Sequence, residues 1–171
     1  MRGISKLAYI SIKVSLCAAM GLSGCQTSGI PQEDVKKPLM YRSLASNGAQ
    51  VDAEAARAMI SAYRINKGLK ALVYDPHLDS IAENEARAMA ASNQTRSSEA
   101  LKTTLRASGV KGAQANLSAG YYTLAEAFSG WRDSGEHNRT MLSHNATRMG
   151  IASAYSPQSK YGVYWALVIA D

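Results

Sequence analysis

His137 is the side chain whose type and position in this sequence best suit chemistry. It follows Glu136 directly and Ser134 by three residues. Because serine is favoured at helix N-caps, the sequence predicts His137 in the first turn of a short helix. The positive end of a helix disfavours an imidazolium ion, and the neutral ring can accept a hydrogen bond or bind a metal. The alternative is a structural histidine that packs on Trp131 and satisfies a local backbone group.

Few other side chains are spaced to assist His137 in catalysis. A zinc site needs three or four ligands, and the candidates beside His137 are Glu136 and Glu85. General acid–base catalysis needs a partner that orients or relays the proton, and His144 could help only if its loop folds back. The sequence contains neither a G-x-S-x-G motif nor a phosphate-binding glycine loop. We therefore expect no catalytic residue, no metal and no cofactor.

The helix that precedes this region is predicted from a capping box. Thr123 is followed three residues later by Glu126, so that the hydroxyl and the carboxylate can each accept a backbone amide. The apolar residues after it recur with helical spacing and should face the core. They are Leu124, Ala127, Phe128 and Trp131.

Three further helices are predicted upstream. The first begins after Asp52 and ends at Gly68, the second opens at Asp75-Pro76, and a shorter third covers residues 99–107. Their predicted buried residues are Ala56, Met59, Ile60 and Tyr63 in the first, Leu78, Ile81, Ala82, Ala86 and Met89 in the second, and Leu101 and Leu105 in the third.

The apolar period changes to two after Gly150. Residues 149–155 and 161–170 are predicted strands joined by a turn, and a third strand is expected at 115–121. Both alternating sets of residues in the last strand are apolar, so this strand must be covered on both faces. The predicted fold class is α+β, a three-layer α/β/α sandwich with a central antiparallel sheet.

The N-terminal residues are similar to a bacterial lipoprotein signal peptide. A basic region and a short apolar stretch lead to Leu22-Ser23-Gly24-Cys25, which suits cleavage before a lipidated cysteine. The apolar stretch is too short to span a bilayer. We therefore predict a signal peptide at 1–24, lipidation of Cys25, a flexible tether at 25–50 and one domain at 51–171.

The charge and the predicted lipid indicate a membrane rather than nucleic acid as partner. Removal of the signal peptide lowers the count of Lys and Arg from 19 to 16 against 13 acidic residues, so the net charge is +3, without a basic cluster. Acyl chains on Cys25 would hold the protein at the cell envelope. Gln26 after the cysteine favours the outer membrane, facing the periplasm. With Cys17 removed and Cys25 acylated, no thiol remains for a disulfide.

Several short motifs occur in an order that marks a family. Trp131, Ser134, His137, Met141 and Leu142 match the pattern W-x-x-S-P-G-H-R-x-N-[IM]-L. The chain thereby resembles the bacterial branch of the CAP superfamily, the cysteine-rich secretory, antigen 5 and pathogenesis-related proteins, also called SCP domains. The other matching pieces are Ala62-Tyr63-Arg64 with Gly68-Leu69, Asn116-Leu117 with Gly120, and Gly150-Ile151-Ala152 with Tyr164-Trp165.

The resemblance implies the same sandwich and a cleft with two histidines and one or two glutamates, described as a metal-binding or catalytic cluster. Only His137 matches that cluster, because Ala115 stands at the glutamate position before Asn116 and the loop at 91–98 has no histidine. We therefore expect a degenerate, non-catalytic cleft. Its candidate residues are His137, Asn116, Trp131, Ser134, Glu136 and Glu85.

Three functions follow from these expectations. The first is a membrane-anchored lipoprotein that binds a lipid, peptidoglycan or envelope protein, since members elsewhere in the family bind sterols and fatty acids. The second is a weak or metal-dependent hydrolase acting on peptides or cell-wall material. The third is a purely structural envelope lipoprotein. A filled cleft beside His137 would favour the third.

Overall fold

A computed structural model describes residues 37–171 of the chain. The predicted signal peptide and Cys25 lie outside the described residues. No helix within the described range is long and apolar enough to cross a bilayer. The elements are a 3-10 turn η1 (Leu39–Tyr41), helices α1 (Ala53–Asn66), α2 (Pro76–Ser92), α3 (Ser98–Ala107), α4 (Leu124–Asp133) and α5 (Gly135–Met141), and strands β1 (Val73–Tyr74), β2 (Gln114–Ala119), β3 (Arg148–Tyr155) and β4 (Val163–Ala170).

The four strands form one sheet in the order β1-β3-β4-β2. β4 lies in the centre and pairs antiparallel with β3 on one side and with β2 on the other. β1 pairs parallel with β3. The sheet is therefore mixed rather than wholly antiparallel. The sequence prediction missed β1 because a two-residue strand has no measurable alternation.

The two faces of β4 pack into two separate apolar clusters, as its alternating pattern predicts. All eight of its residues are buried. Trp165 and its alternate neighbours face the layer of α1, α4 and α5, whereas Tyr164 and its alternate neighbours face α2 and α3. The three-layer architecture is confirmed. Tyr161 was predicted inside the strand, but it lies in the preceding turn and is exposed.

Capping bonds confirm the predicted starts of α1, α2 and α4. The Thr123 hydroxyl accepts the Glu126 amide at 3.2 Å, and the Glu126 carboxylate accepts the Thr123 amide at 3.2 Å. Asp52 accepts the amide of Ala55 at 2.8 Å and begins α1. Asp75 accepts the amides of His77 and Leu78 and begins α2 behind Pro76. These short-range bonds are the part of the fold that local sequence dictates most directly.

The packed region begins earlier than the predicted domain boundary at residue 51. Leu44 is only 7% exposed and belongs to the core beneath α1 and α4. Its amide donates to the carbonyl of Tyr122 at 2.8 Å, and the amide of Val51 donates to the Ser153 hydroxyl at 3.1 Å. The segment from η1 onward is thus part of the domain and not of the flexible tether. Its apolar residues lack a helical or strand period, so the pattern did not reveal their burial.

Candidate functional site

The site is organised around α5, a helix of seven residues. Isolated helices of this length are unstable in water, so α5 depends on contacts with other elements. Asn116 of β2 donates from Nδ2 to the carbonyl of His137 at 3.0 Å, in the first turn of α5. Tyr63 of α1 donates from its hydroxyl to Oδ1 of Asn138 at 3.1 Å. Side chains from two other elements therefore hold the start of the helix.

Arg64 of α1 holds the other end of α5. Its guanidinium is fully buried and donates four hydrogen bonds to backbone carbonyls. The acceptors are the carbonyls of Lys70 (2.9 Å), Met141 (2.8 Å), Ser143 (2.8 Å) and Ala146 (3.0 Å). Burial lowers the pKa of this guanidinium, but arginine remains protonated in proteins. In the sequence, Arg64 is recognisable only as part of the Ala62-Tyr63-Arg64 motif, and no pattern there indicates this role.

Asn116 and His137 each leave one buried polar atom without a protein partner. Asn116 is fully buried, and its bond to the His137 carbonyl fixes the amide orientation, because a flipped amide would set two oxygens against each other. Among the residues that the structure describes, its Oδ1 has no hydrogen-bond partner, and neither has Nδ1 of His137. Burial lowers the pKa of His137, and the negative charge of Glu136 opposes this effect. The imidazole is therefore held toward its neutral form.

Trp131 lies beneath this site as a core residue. Its side chain is fully buried, its Nε1 donates to the Ser118 hydroxyl at 2.9 Å, and its ring meets Trp165 edge-on with centroids 6.0 Å apart. Ser134 occupies the N-cap position of α5, but its hydroxyl accepts no capping bond. Glu136 is exposed beside it. Asn116, Trp131, Ser134, Glu136 and His137 thus belong to one region, although Trp131 and Asn116 are covered.

Glu85 lies in the opposite layer of the sandwich. It projects from α2 and pairs with Arg96 at 3.1 Å. Both line a hollow of about 180 Å³ against α3. Because the sheet separates α2 from α5, the structure does not bring Glu85 to His137. His77 and His144 are exposed on the surface.

An apolar groove on the outer side of α1 was not predicted. It has a volume of about 630 Å³ and is larger than four other hollows found within residues 37–171, which measure about 90 to 440 Å³. His137 lines none of these five. The groove lies between α1, α4 and η1 and is lined by Leu39, Met40, Ala55, Ala58, Met59, Ala62, Tyr63, Asn66 and Phe128.

Aromatic side chains form one wall of the groove and link it to α5. Phe128 meets Tyr63 edge-on with ring centroids 5.5 Å apart. The same Tyr63 donates its hydroxyl to Asn138, the residue after His137. Lys67 places its Nζ 5.9 Å from the centroid of the Tyr63 ring. The signal that could have indicated the groove was the unusually wide apolar face of α1, where small alanines flank Met59.

Comparison with known proteins agrees with this fold. A model of the cysteine-rich secretory protein (CAP) family matches residues 57–169, well over half of the chain. The chain belongs to the CAP family. No curated protein matches the chain in sequence.

Solved CAP-type structures share the fold at low sequence identity. An outer surface protein of Borrelia burgdorferi superposes with a TM-score of 0.59 and 12% identity over 69% of this chain and 90% of the other. A cysteine-rich secretory protein of Staphylococcus aureus gives 0.53 and 20% over 69% and 38% of the two chains. An extracellular SCP-domain protein of Bacillus anthracis gives 0.56 and 17% over 70% and 40%. The last two proteins are therefore much longer than the region they share with this chain.

The metal-binding cluster that the CAP resemblance implies does not fit the side chains present. Within residues 37–171 no group of three or more His, Cys, Asp or Glu side chains is placed to hold a metal ion. His137 has the neutral ring that a metal would require, but Ala115 replaces the neighbouring glutamate and Glu85 lies across the sheet. These side chains therefore do not form the ligand set that such a metal needs.

Proposed function

We propose that this CAP protein is a lipoprotein of the bacterial envelope, anchored through Cys25 to the outer membrane, which binds an amphiphile with a hydrocarbon chain and does not catalyse its conversion. The apolar groove between α1, α4 and η1 is the observation that carries this proposal. It replaces the degenerate cleft at His137 as the binding surface, because Trp131 and Asn116 are buried there.

The lining of the groove suits a flexible hydrocarbon chain. Its side chains are apolar except for Asn66 and the hydroxyl of Tyr63. Each methylene moved from water into such surroundings contributes about 0.8 kcal/mol. Met40 and Met59 can adjust their side chains to chains of different shape. The groove therefore favours a class of ligands over one rigid molecule.

One end of the groove has charge complementary to an anionic headgroup. Lys67 follows Asn66 at the end of α1 and stands over the Tyr63 ring. None of the ion pairs within the described residues includes Lys67. A carboxylate or phosphate at this end would gain a charge-assisted hydrogen bond while its chain lies against Met59 and Phe128. The proposed ligand is thus a fatty acid or a phospholipid.

Two further observations support the envelope location and the absence of catalysis. The Leu22-Ser23-Gly24-Cys25 motif suits lipidation, and a structural neighbour is itself an outer surface protein. Within α5 and β2, His137 is the one histidine, and the exposed Glu136 supplies the one carboxylate. A binding role needs no second histidine and no further carboxylate.

The test is to fill the groove without disturbing the core. Ala58 and Ala62 are exposed residues of α1 that line it, so Ala58→Trp and Ala62→Trp should obstruct the hydrocarbon chain. We expect each variant to lower the affinity for a fluorescent fatty acid by at least about tenfold, in line with the loss of a few buried methylenes. Ala100→Trp, at an exposed position of α3 in the opposite layer, is the matched control. Equal affinity in all three variants would contradict the proposal.

Native mass spectrometry of the lipidated protein, purified from its own membrane, checks the natural ligand. We expect a bound fatty acid or phospholipid that is lost in Ala58→Trp. The hydrolase alternative makes a different prediction for the same sample. Stoichiometric zinc that disappears in His137→Ala would overturn the non-catalytic interpretation.

A further inference from the structure

We propose that the face carrying η1 docks on the surface of an anionic phospholipid bilayer, so that the groove opens toward the membrane. The inference rests on the anchoring at Cys25 under the proposed function. It goes further by naming the surface of the domain that meets the lipid and the source from which the groove is supplied. Three separate observations support it. They are the exposed apolar side chains of η1, the charges around them and the point at which the chain enters the domain.

Two large apolar side chains of η1 are exposed. Leu39 is 45% exposed and Tyr41 48% exposed, within three residues of each other. Leu39 lines the apolar groove, whereas Tyr41 lines a neighbouring hollow of about 440 Å³ against α4. A tyrosine with an apolar ring and a polar tip suits the boundary between hydrocarbon and headgroups. η1 thus presents a small apolar edge between two openings.

The charges around this edge match an anionic surface. Lys37 and Arg42 flank η1 and are exposed, and Lys67 stands at the end of the groove. None of these three cations belongs to an ion pair with another residue in the range 37–171.

The acidic side chains near η1 are occupied at helix ends. Glu126 shares a hollow with Lys37 and accepts amides at the start of α4. Asp52 shares another hollow with Arg42 and accepts an amide at the start of α1. The positive end of each helix partly offsets the negative charge of its carboxylate. These two carboxylates therefore oppose the attraction between the flanking cations and phospholipid less than free carboxylates would.

The chain enters the domain at this same face. Cys25 precedes Lys37 by twelve residues, which span at most about 40 Å when fully extended. An anchored lipid would therefore keep η1 close to the bilayer at high effective concentration. Weak apolar and charge contacts are then sufficient for docking. α2 and α3, on the other side of the sheet, would face away from the membrane.

The depth of single labelled cysteines tests the orientation. The lipidated protein is reconstituted in phosphatidylethanolamine–phosphatidylglycerol vesicles and, separately, in phosphatidylcholine vesicles. Leu39→Cys and Tyr41→Cys are labelled with a fluorophore that is quenched by spin-labelled lipid, and Thr103→Cys on exposed α3 is the control. Acylated Cys25 takes no label, so the signal reports the introduced thiol alone. We expect strong quenching at positions 39 and 41 in the anionic vesicles and little at 103.

Removal of charge should loosen the docked state. In the Leu39→Cys background, Lys37→Gln or Arg42→Gln should each lower the docking constant about fivefold in the anionic vesicles, from the usual contribution of a basic residue near such a surface. Arg87→Gln on α2 is the control and should have little effect. Equal quenching at 39 and 103 would overturn the proposal. If the label at position 39 is shielded from quenching only at high protein concentration, a second copy of the chain covers this face, and the proposal is overturned.

Failure of docking and failure of the proposed function are distinguishable. Labelling of the wild-type protein at Cys25 would show that the anchor is absent and would overturn both. If the protein does not bind fatty acid but shows the expected quenching pattern, the ligand proposal is contradicted and the docking proposal stands. If it binds fatty acid but positions 39 and 41 are not selectively quenched, the docking proposal is contradicted and the ligand proposal stands.

Discussion

Arg64 and the Asn116–His137 pair are polar groups that the fold removes from water in two different ways. Arg64 is fully buried, and four backbone carbonyls accept its hydrogen bonds. Asn116 is also fully buried, but its Oδ1 and the Nδ1 of His137 have no partner in the described part of the chain. Both sites hold the same helix, α5, one at each end. At one end every guanidinium nitrogen donates a hydrogen bond, whereas at the other end two polar atoms have no partner within residues 37–171.

The difference distinguishes a polar group that only stabilises the structure from one that could still bind another group. A buried cation with satisfied donors fixes the geometry of its neighbours and cannot easily take up anything else. Unpaired buried atoms reduce stability and leave hydrogen-bonding capacity unused. In this CAP domain, the histidine that matches the family motif lies at the unsatisfied end. The structure around α5 is retained, whereas Ala115 stands at the position where the resemblance implies a glutamate.

The largest effect should come from Arg64→Met. The variant leaves four carbonyls around α5 without their donor, and we expect a loss of about 3–5 kcal/mol in the free energy of unfolding. The loss of the hydrogen bonds would be larger still, but the variant no longer has to bury a cation, and this offsets part of it. Urea unfolding followed by the fluorescence of the two buried tryptophans, Trp131 and Trp165, measures it.

Arg64→Lys should restore little of this loss, because an ammonium group cannot reach four carbonyls that surround a planar guanidinium. A change below about 1 kcal/mol in Arg64→Met would show that the buried cation is not what holds the end of α5, and would remove the contrast with Asn116. A change that small in Arg64→Lys would show that an ammonium group can replace the guanidinium.

A smaller effect is expected from Asn116→Leu. The variant loses one hydrogen bond to the His137 carbonyl, worth about 1 kcal/mol, but it also removes an amide oxygen that has no protein partner. The two changes oppose each other, so the free energy of unfolding should change by less than about 1 kcal/mol. A loss above about 3 kcal/mol, measured in the same urea experiment, would show that Oδ1 has a strong partner and that this end of α5 is satisfied too.

The mildest effect concerns pH. Burial lowers the pKa of His137 in the folded protein, so the unfolded chain takes up the proton at higher pH than the folded one. The contribution of the neutral ring is present above the unfolded pKa and is lost as the pH falls through the folded pKa. We expect unfolding free energies measured between pH 7 and pH 5 to decline less in His137→Gln than in the wild type. An equal decline in both proteins would contradict this effect of His137.

Local chemistry made much of this fold predictable. The Thr123–Glu126 capping box and the Asp75-Pro76 start are short-range signals, and both form as predicted. The apolar alternation on both faces of the last strand indicated the three layers, because such a strand has to be covered twice. Secondary structure and layer order therefore follow from patterns within a few residues.

The site was less predictable because it depends on contacts distant in sequence. Nothing local indicates that Arg64 enters the core, since its acceptors are carbonyls as far away as Ala146. Glu85 was a candidate ligand from its type alone, but α2 places it on the far side of the sheet from His137. The groove arises only when η1 packs near α1 and α4, and the sequence assigned η1 to a tether. Composition cannot reveal such pairings.

The position of β4 in the sheet governs the order in which the domain can mature. β2 and β3 are made earlier, yet within the described sheet β2 has β4 as its neighbour, and β4 is the last strand to be synthesised. Residues 114–119 must therefore wait as an open edge until residues 163–170 leave the ribosome. A nascent chain that lacks β4 therefore has no partner for β2 and cannot complete this sheet.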